Sequence, residues 1–359
     1  MADYAAVNGV APASIDKING VAKASVQAVN GATTPSSGAT QWALSAADAR
    51  VGYCGTDLTS WTTYQTVVNE GDDYRTIAYG KDGSGNPLWV VGWSQNPKEI
   101  MYTSDITNTS GWSDVNLAGG IHDVCWGNDV WIAVGNNTSG RKAVYRSTDG
   151  ASWSEVDISG VTGVDSTTIY CVGNSGSKWL IAQDDRLYSS SDGSTWALAH
   201  DFNDAGIDKI YDLKYTNNTW ILLVIRNSGG GGSGPYVTTA AASDLTDWST
   251  EQDINIGKST RRFAAGNGKA IFVYSNDHQV ATVSGKTCTL AQYTANQLPE
   301  AGSRDIATDG STWVVVCDGG HVLTSTDDGS NWTHSVDGLQ IDGDVDNLDA
   351  VAANVYLPV

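Results

Sequence analysis

The chain has 359 residues, with 40 acidic against 20 basic side chains and a formal net charge of −20. That balance argues against nucleic acid as a partner and against polybasic contact with a membrane surface. Forty glycines and a low charged fraction of 17% favour a turn-rich β protein, long enough to bury a large core.

Residues 1–39 read as an arm and linker. Asn-Gly occurs at Asn8, Asn19 and Asn30, a repeat of 11 residues. Apolar pairs follow at Ile15, Ile18 and at Val26, Val29, a spacing that predicts one or two helical turns per unit. Helices that short are unstable alone in water, so the arm requires a surface to lie on. The start lacks a basic segment followed by an apolar run, which predicts no secretory signal, and no stretch approaches the length of a membrane span. Thr33 to Gly38 reads as the linker.

From residue 40 to 359 one unit recurs. Its clearest copy runs Ile121–Trp126, a turn at Gly127–Asp129, Val130–Val134, a polar loop, Ala143–Arg146, a turn at Ser147–Ser152, and Trp153–Val156. These are four short strands, each bounded by turn formers. Further copies hold Ile77 and Trp112, Tyr170 and Trp196, Leu213 and Trp248, Phe263 and Cys288, Ile306 and Trp332. A last copy is split: Trp42–Ser45, Val51–Cys54 and Trp61–Tyr64 supply later strands, and Leu348–Ala352 matches a first strand. Val355–Leu357 competes for the second position, so the register of this copy stays open.

Runs such as Trp131–Val134 and Trp313–Val316 are apolar on both faces and need sheets stacked on either side. Radial stacking of seven such units, closed by pairing of the two chain ends, satisfies them. The predicted fold is therefore all-β, a seven-bladed propeller of four-stranded antiparallel blades behind a short N-terminal extension. The five cysteines are far apart and mostly inside apolar patterns, which predicts buried free thiols.

The turn before the fourth strand is itself a repeat. Ser147–Trp153 contains Asp149, Gly150 and Trp153; Ser190–Trp196 contains Asp192, Gly193 and Trp196; Ser325–Trp332 contains Asp327, Gly329 and Trp332. This resembles the Asp-box, Ser-x-Asp-x-Gly-x-Thr-Trp, of sialidase-type (BNR-repeat) propellers, with Asn331 in the Thr position and the first two copies one residue short. The resemblance implies structural turns on the blade periphery.

Candidate chemistry is sparse. Sialidases bind the substrate carboxylate with an arginine triad, but no arginine here stands in the Arg-Ile-Pro context of that family. Arg75, Arg304 and the Arg261-Arg262 pair precede first strands and could face one end of the ring. Asp73, Asp123, Asp212 and Asp305 occupy first-strand positions, where repeat symmetry accounts for them as well as glycoside hydrolysis does. The histidines His122, His200, His278, His321 and His334 show no ligand spacing, and Asp184-Asp185 and Asp327-Asp328 lack an EF-hand-like ligand run. Gly229–Gly232 reads as a flexible loop. No catalytic residue, metal or cofactor is predicted. The long loops at 81–87, 106–111, 227–235 and 239–247 are the binding candidates, with Trp93 and Tyr236 beside them as possible stacking groups for a host glycan.

The arm segment Lys17-Ile18-Asn19-Gly20-Val21, flanked by Ser14-Ile15 and Ser25-Val26, resembles N-terminal segments of tailed-bacteriophage virion proteins, especially cyanophage-like ones. That resemblance implies a non-enzymatic virion protein on the head or tail surface. It would dock on other virion proteins through residues 1–35, with Ile15, Ile18, Asn19, Gly20, Val21, Val26 and Val29 in contact. Two other readings stay open: a glycan-acting sialidase-like hydrolase, and a non-viral propeller used for binding or assembly.

Overall fold

A computed structural model describes residues 17–18, 21–22, 28–29, 32–33, 40–46, 50–55, 57–65, 74–93, 100–117, 119–137, 142–203, 206–226, 234–254, 262–274, 277–291, 302–341, 344–345 and 347–355. Residues 1–40 and 41–359 form two separate units. In the first, Lys17–Ile18 pairs antiparallel with Val21–Ala22, and Ala28–Val29 with Ala32–Thr33. Ile18, Val21 and Val29 therefore lie in short strands and not in helical turns. The two residues between each pair are Asn-Gly, the dipeptide that favours two-residue hairpins over helix initiation. Ile15, Asn19, Gly20 and Val26 lie outside the described residues.

The second unit is a seven-bladed propeller. Six blades are four-stranded meanders in chain order: 74–115, 121–155, 171–201, 207–253, 262–290 and 303–336. The seventh joins Leu348–Ala353 to Trp42–Ala46, Arg50–Cys54 and Thr62–Gln65. This fixes the closing register: Leu348–Ala353 is the first strand and Trp42–Ala46 the second. Gln41 and Asn354 clasp the junction, since the Gln41 amide donates to Asn354 Oδ1 and the Asn354 amide donates to Gln41 O, both at 2.7 Å. The seven first strands touch one another in an unbroken ring.

Second strands are the core of each blade. Trp131–Val134, Trp179–Gln183 and Trp313–Cys317 are buried at every residue, because each packs between two neighbouring sheets. A tryptophan occupies the same second-strand position in six blades, at Trp42, Trp89, Trp131, Trp179, Trp220 and Trp313. Ala270 takes that place in the fifth. The tight hairpins after first strands use left-handed residues, such as Asn128 and Asp129 (φ 51° and 56°) and Asn217 and Asn218 (47° and 55°). Paired positive φ values match the right-handed twist of the strands they join.

The turns before the fourth strands follow one plan. In Ser147–Trp153, Asp149 Oδ1 accepts the amides of Ala151 and Ser152, Ser147 Oγ accepts that of Gly150, and Trp153 Nε1 donates to Gly150 O at 2.9 Å. The Ser190–Trp196 turn repeats these bonds through Asp192 and Gly193. In the longer Ser325–Trp332 turn the extra residue is absorbed by Asp328 in the left-handed region (φ 57°). Asp327 there accepts the Asn331 amide, and His278 Nε2 donates to Gly329 O at 2.8 Å. Gly150, Gly193 and Gly329 all have φ between 71° and 80°, which a side chain would strain. In the fifth blade, Ser284 pairs with Thr287 across a two-residue hairpin instead. All five cysteines are free thiols, and burial raises their pKa values.

Candidate functional site

The strand registers align seven residues at one level of the first strands: Thr76, Asp123, Cys171, Asp212, Arg262, Asp305 and Ala350. The ladder shifts beside this level in five blades, at 74/76, 121/123, 210/212, 303/305 and 348/350. A bulge re-aims the side chain that follows it. Here it turns the three aspartates along the ring, toward the next blade.

Asp123 Oδ2 accepts the Val172 amide at 3.0 Å, Asp212 Oδ2 the Phe263 amide at 3.4 Å, and Asp305 Oδ2 the Val351 amide at 3.0 Å. Each acceptor lies in one blade and each donor in the first strand of the next. The other oxygens of Asp123 and Asp212 take the amides of Val124 and Leu213. These carboxylates thus pin blade to blade, which accounts for their burial without catalysis. Asp73 lies outside the described residues.

Two cations offset part of the ring's negative charge. Lys214 Nζ donates to Asp212 Oδ1 at 2.7 Å. Burial works against the Lys214 and Arg262 charges, but Asp212 with Asp123, and Asp212 with Asp305 and Asp123, more than compensate and hold both pKa values above normal. The Lys214 side chain keeps 34% of its surface accessible, so its ammonium is not cut off from water. Burial raises Asp123, and it raises Asp305 to about 6, against the pull of the two cations.

One residue earlier, at the face where the first strands begin, stand Arg75, His122, Tyr170, Tyr211, Arg304 and Asp349. Arg75 and Arg304 do face this end of the ring; Arg304 is paired with Asp318 at 2.6 Å, and Arg261 lies outside the described residues. Lys209 Nζ sits 3.4 Å from the Tyr170 ring centroid and 5.3 Å from that of Tyr211. His122 meets Tyr170 edge-on at 5.2 Å. Burial, then Arg75, Arg262 and Lys209, push the His122 pKa down to about 4, so it is neutral at pH 7. Arg75 and Lys209 thus place two basic side chains beside one neutral imidazole and two phenol rings, with Arg262 committed to the buried aspartates behind them, in a chain of net charge −20. Asp349 places one acid on the same rim. Such a mouth can hold an anionic group by charge while aromatic faces pack its neighbours.

The other predicted sites separate. Trp93 is 1% exposed inside the core of the first blade and offers no stacking face. Tyr236 is half-buried, with Arg226 5.8 Å from its ring. In the loops, Ile106 is buried and its carbonyl accepts the Tyr64 hydroxyl, so 106–111 is tied into the core; 227–233 lies outside the described residues. Asp184 Oδ2 accepts the Thr167 hydroxyl, and Asp327 is committed to its own turn. A cleft of about 320 Å³ on the rim of the sixth and seventh blades is lined mainly by hydroxyl and amide groups, including Thr59, Ser325 and Asn331. Lys209 and Tyr170 escaped the sequence reading because neither stands in a motif. Their signal is positional, at or just before successive first strands.

The fold defines a closed seven-bladed propeller with a basic, aromatic mouth. No family model matches the chain, and no curated protein matches it. Among solved structures, it resembles YCF48 bound to a D1 peptide (13% identity, TM-score 0.53, covering 78% of this chain and 87% of that one). YCF48 from Cyanidioschyzon merolae is similar at 14% identity and TM-score 0.53, over 73% and 85% of the two chains. The WD40 propeller domain of Doa1 matches at 12% identity and TM-score 0.52, over 80% and 87%. At these identities the likeness is one of fold. It corrects the family and functional expectations: the similar structures named above are YCF48 and a WD40 propeller, and none of them is a sialidase or a virion protein. The virion-surface location, the virion partners and the phage reading of the arm are set aside with them. The box turns misled because their Ser, Asp, Gly and Trp solve a turn problem that any propeller blade can meet. Among the described residues no helix is long and apolar enough to cross a membrane.

Proposed function

We propose that this chain is a non-enzymatic binding propeller that captures an acidic peptide segment of a protein partner at the mouth of its central ring. The observation that carries this reading is the placement of Arg75 and Lys209 beside His122, Tyr170 and Tyr211 at one end of the ring. A carboxylate entering there meets two cations beside a neutral imidazole, and the two phenol rings supply contact area at low entropy cost. A propeller of this fold, YCF48, has been seen with a peptide bound, which supports the same mode of use here. The buried aspartates are occupied by blade-to-blade bonds, which leaves them to hold the mouth rigid.

The test is fluorescence anisotropy with a labelled Asp/Glu-rich decapeptide and its Asn/Gln counterpart. The acidic peptide is expected to bind more tightly, and its affinity to fall with added salt. Arg75→Glu and Lys209→Glu are each expected to weaken it by about tenfold, a change of about 1.4 kcal/mol. Equal binding of both peptides, or affinity untouched by the two variants, overturns the proposal.

A further inference from the structure

The sixth blade carries a second cluster that the ring does not use. His321 precedes the third strand, Val322–Ser325; His334 lies on the fourth, Thr333–Val336; and Asp337 follows it. Leu323 pairs with His334, and Val322 with Val336, so Ser335 is an extra residue in the ladder. In a regular strand, positions 334 and 337 would point to opposite faces. The bulge reverses the alternation once and brings both to the face that carries His321.

One donor atom from each of the three side chains lies within 4.8 Å of the other two. His321 Nδ1 is 2.6 Å from Asp337 Oδ1, and the contact lacks hydrogen-bond alignment, leaving that buried nitrogen without a hydrogen-bond partner. The two imidazoles are 6.4 Å apart and nearly perpendicular, at 83°. Gly319, with φ 70°, lies against the His321 ring: a Cβ there would come within 3.3 Å of it. His321 is 24% exposed and Asp337 78%, so the cluster is backed by protein on one side and open on the other.

We propose that His321, His334 and Asp337 form a binding site for a first-row divalent transition metal, with Zn²⁺ the ion the donors fit best. Two imidazoles and a carboxylate favour Zn²⁺ over the hard, oxygen-seeking Mg²⁺ and Ca²⁺. Metal–ligand distances of about 2.0–2.2 Å would draw the three donors together by small rotamer changes. The open side leaves a coordination position for water or for a donor from a partner. The donors come from paired strands of one blade, so most of the ordering cost is met by the fold.

The test uses the full chain. Co²⁺ is titrated while visible absorption is recorded, and Zn²⁺ is added to displace it. One saturable equivalent with d–d bands, removed by Zn²⁺, is expected. His334→Ala and Asp337→Asn, both at exposed positions, are each expected to weaken binding by about tenfold or more. His200→Ala, in the third blade, is expected to leave it unchanged. Should His321→Ala not fold, the two exposed variants carry the result. Absence of a saturable equivalent, or binding that survives His334→Ala and Asp337→Asn, overturns the site.

Discussion

Asp212 joins two blades: one carboxylate oxygen holds Lys214 Nζ at 2.7 Å, and the other accepts the Phe263 amide of the next blade at 3.4 Å. Asp123 and Asp305 make the same amide bond at two other boundaries. Elsewhere the blades meet through apolar faces together with bonds such as those from the Gly268 amide to Thr216 Oγ1 and from Trp131 Nε1 to Lys81 O. The aspartate bonds add directional contacts at the inner edge.

Replacing Asp212 by Ala would leave two buried amides without their acceptor and a partly exposed ammonium without its partner. Unsatisfied buried donors are costly, and a loss of about 2–3 kcal/mol in unfolding free energy is expected, the charge being screened by water. Asp212→Asn keeps an acceptor for one amide and should lose less. Urea unfolding of both variants checks the order. Equal, small losses would show that the boundary is held by its apolar packing and other bonds, without Asp212.

His122 and Asp305 set opposing pH dependences. The His122 pKa falls from 6.5 to about 4 on folding, so its contribution is fully present above pH 6.5 and is lost as pH drops toward 4. The Asp305 pKa rises from 3.8 to about 6, so the folded state binds that proton first and gains stability as pH falls from 6 toward 3.8. In the wild type the two partly cancel. His122→Gln is therefore expected to make the protein relatively more stable at pH 5 than at pH 7, by about 2 kcal/mol against the wild-type trend. Asp305→Asn should shift the trend the opposite way. Thermal unfolding at both pH values reads the two slopes, and parallel profiles for all three proteins would contradict the assignment.

The blade count was legible because it rests on a repeat: Trp153, Trp196 and Trp332 mark closing turns, and runs like Trp313–Val316 demand two-sided burial. Closure was legible in outline, from Leu348–Ala352 matching a first strand. Its register was not, since Trp42–Ser45 and Val355–Leu357 are both short apolar runs; the ladders of Trp42–Ala46 with Leu348–Ala353 and Arg50–Cys54 decide it. The arm misled for a physical reason: Ile15 and Ile18, like Val26 and Val29, fit a helical period, yet Asn-Gly between short paired segments favours a hairpin. The mouth was hidden because its members are distant in sequence, and the cluster of His321, His334 and Asp337 because its members, though in one blade, show no ligand spacing. His321 and His334 meet through strand pairing and a bulge at Ser335, which no spacing rule anticipates.

The box turns and the mouth are at opposite ends of the blades, since one joins the third strand to the fourth and the other lies where first strands begin. Stability and binding should therefore separate. The Thr195 and Ser194 amides hold the Asp192 carboxyl below its usual range, so this contribution is present at neutral pH and fades as acid protonates the group. Asp192→Ala removes both bonds from a turn at the surface, and a loss of about 1 kcal/mol is expected, as for a helix cap. The same variant should bind an acidic peptide within about twofold of wild type, well under the 1.4 kcal/mol of a tenfold change. Arg75→Glu should show the reverse pattern, with weakened binding and little change in unfolding midpoint, because the side chain is exposed. Paired denaturation and anisotropy measurements on the two variants decide the matter. Loss of peptide binding in Asp192→Ala with an intact fold would place the binding face at the box end of the propeller.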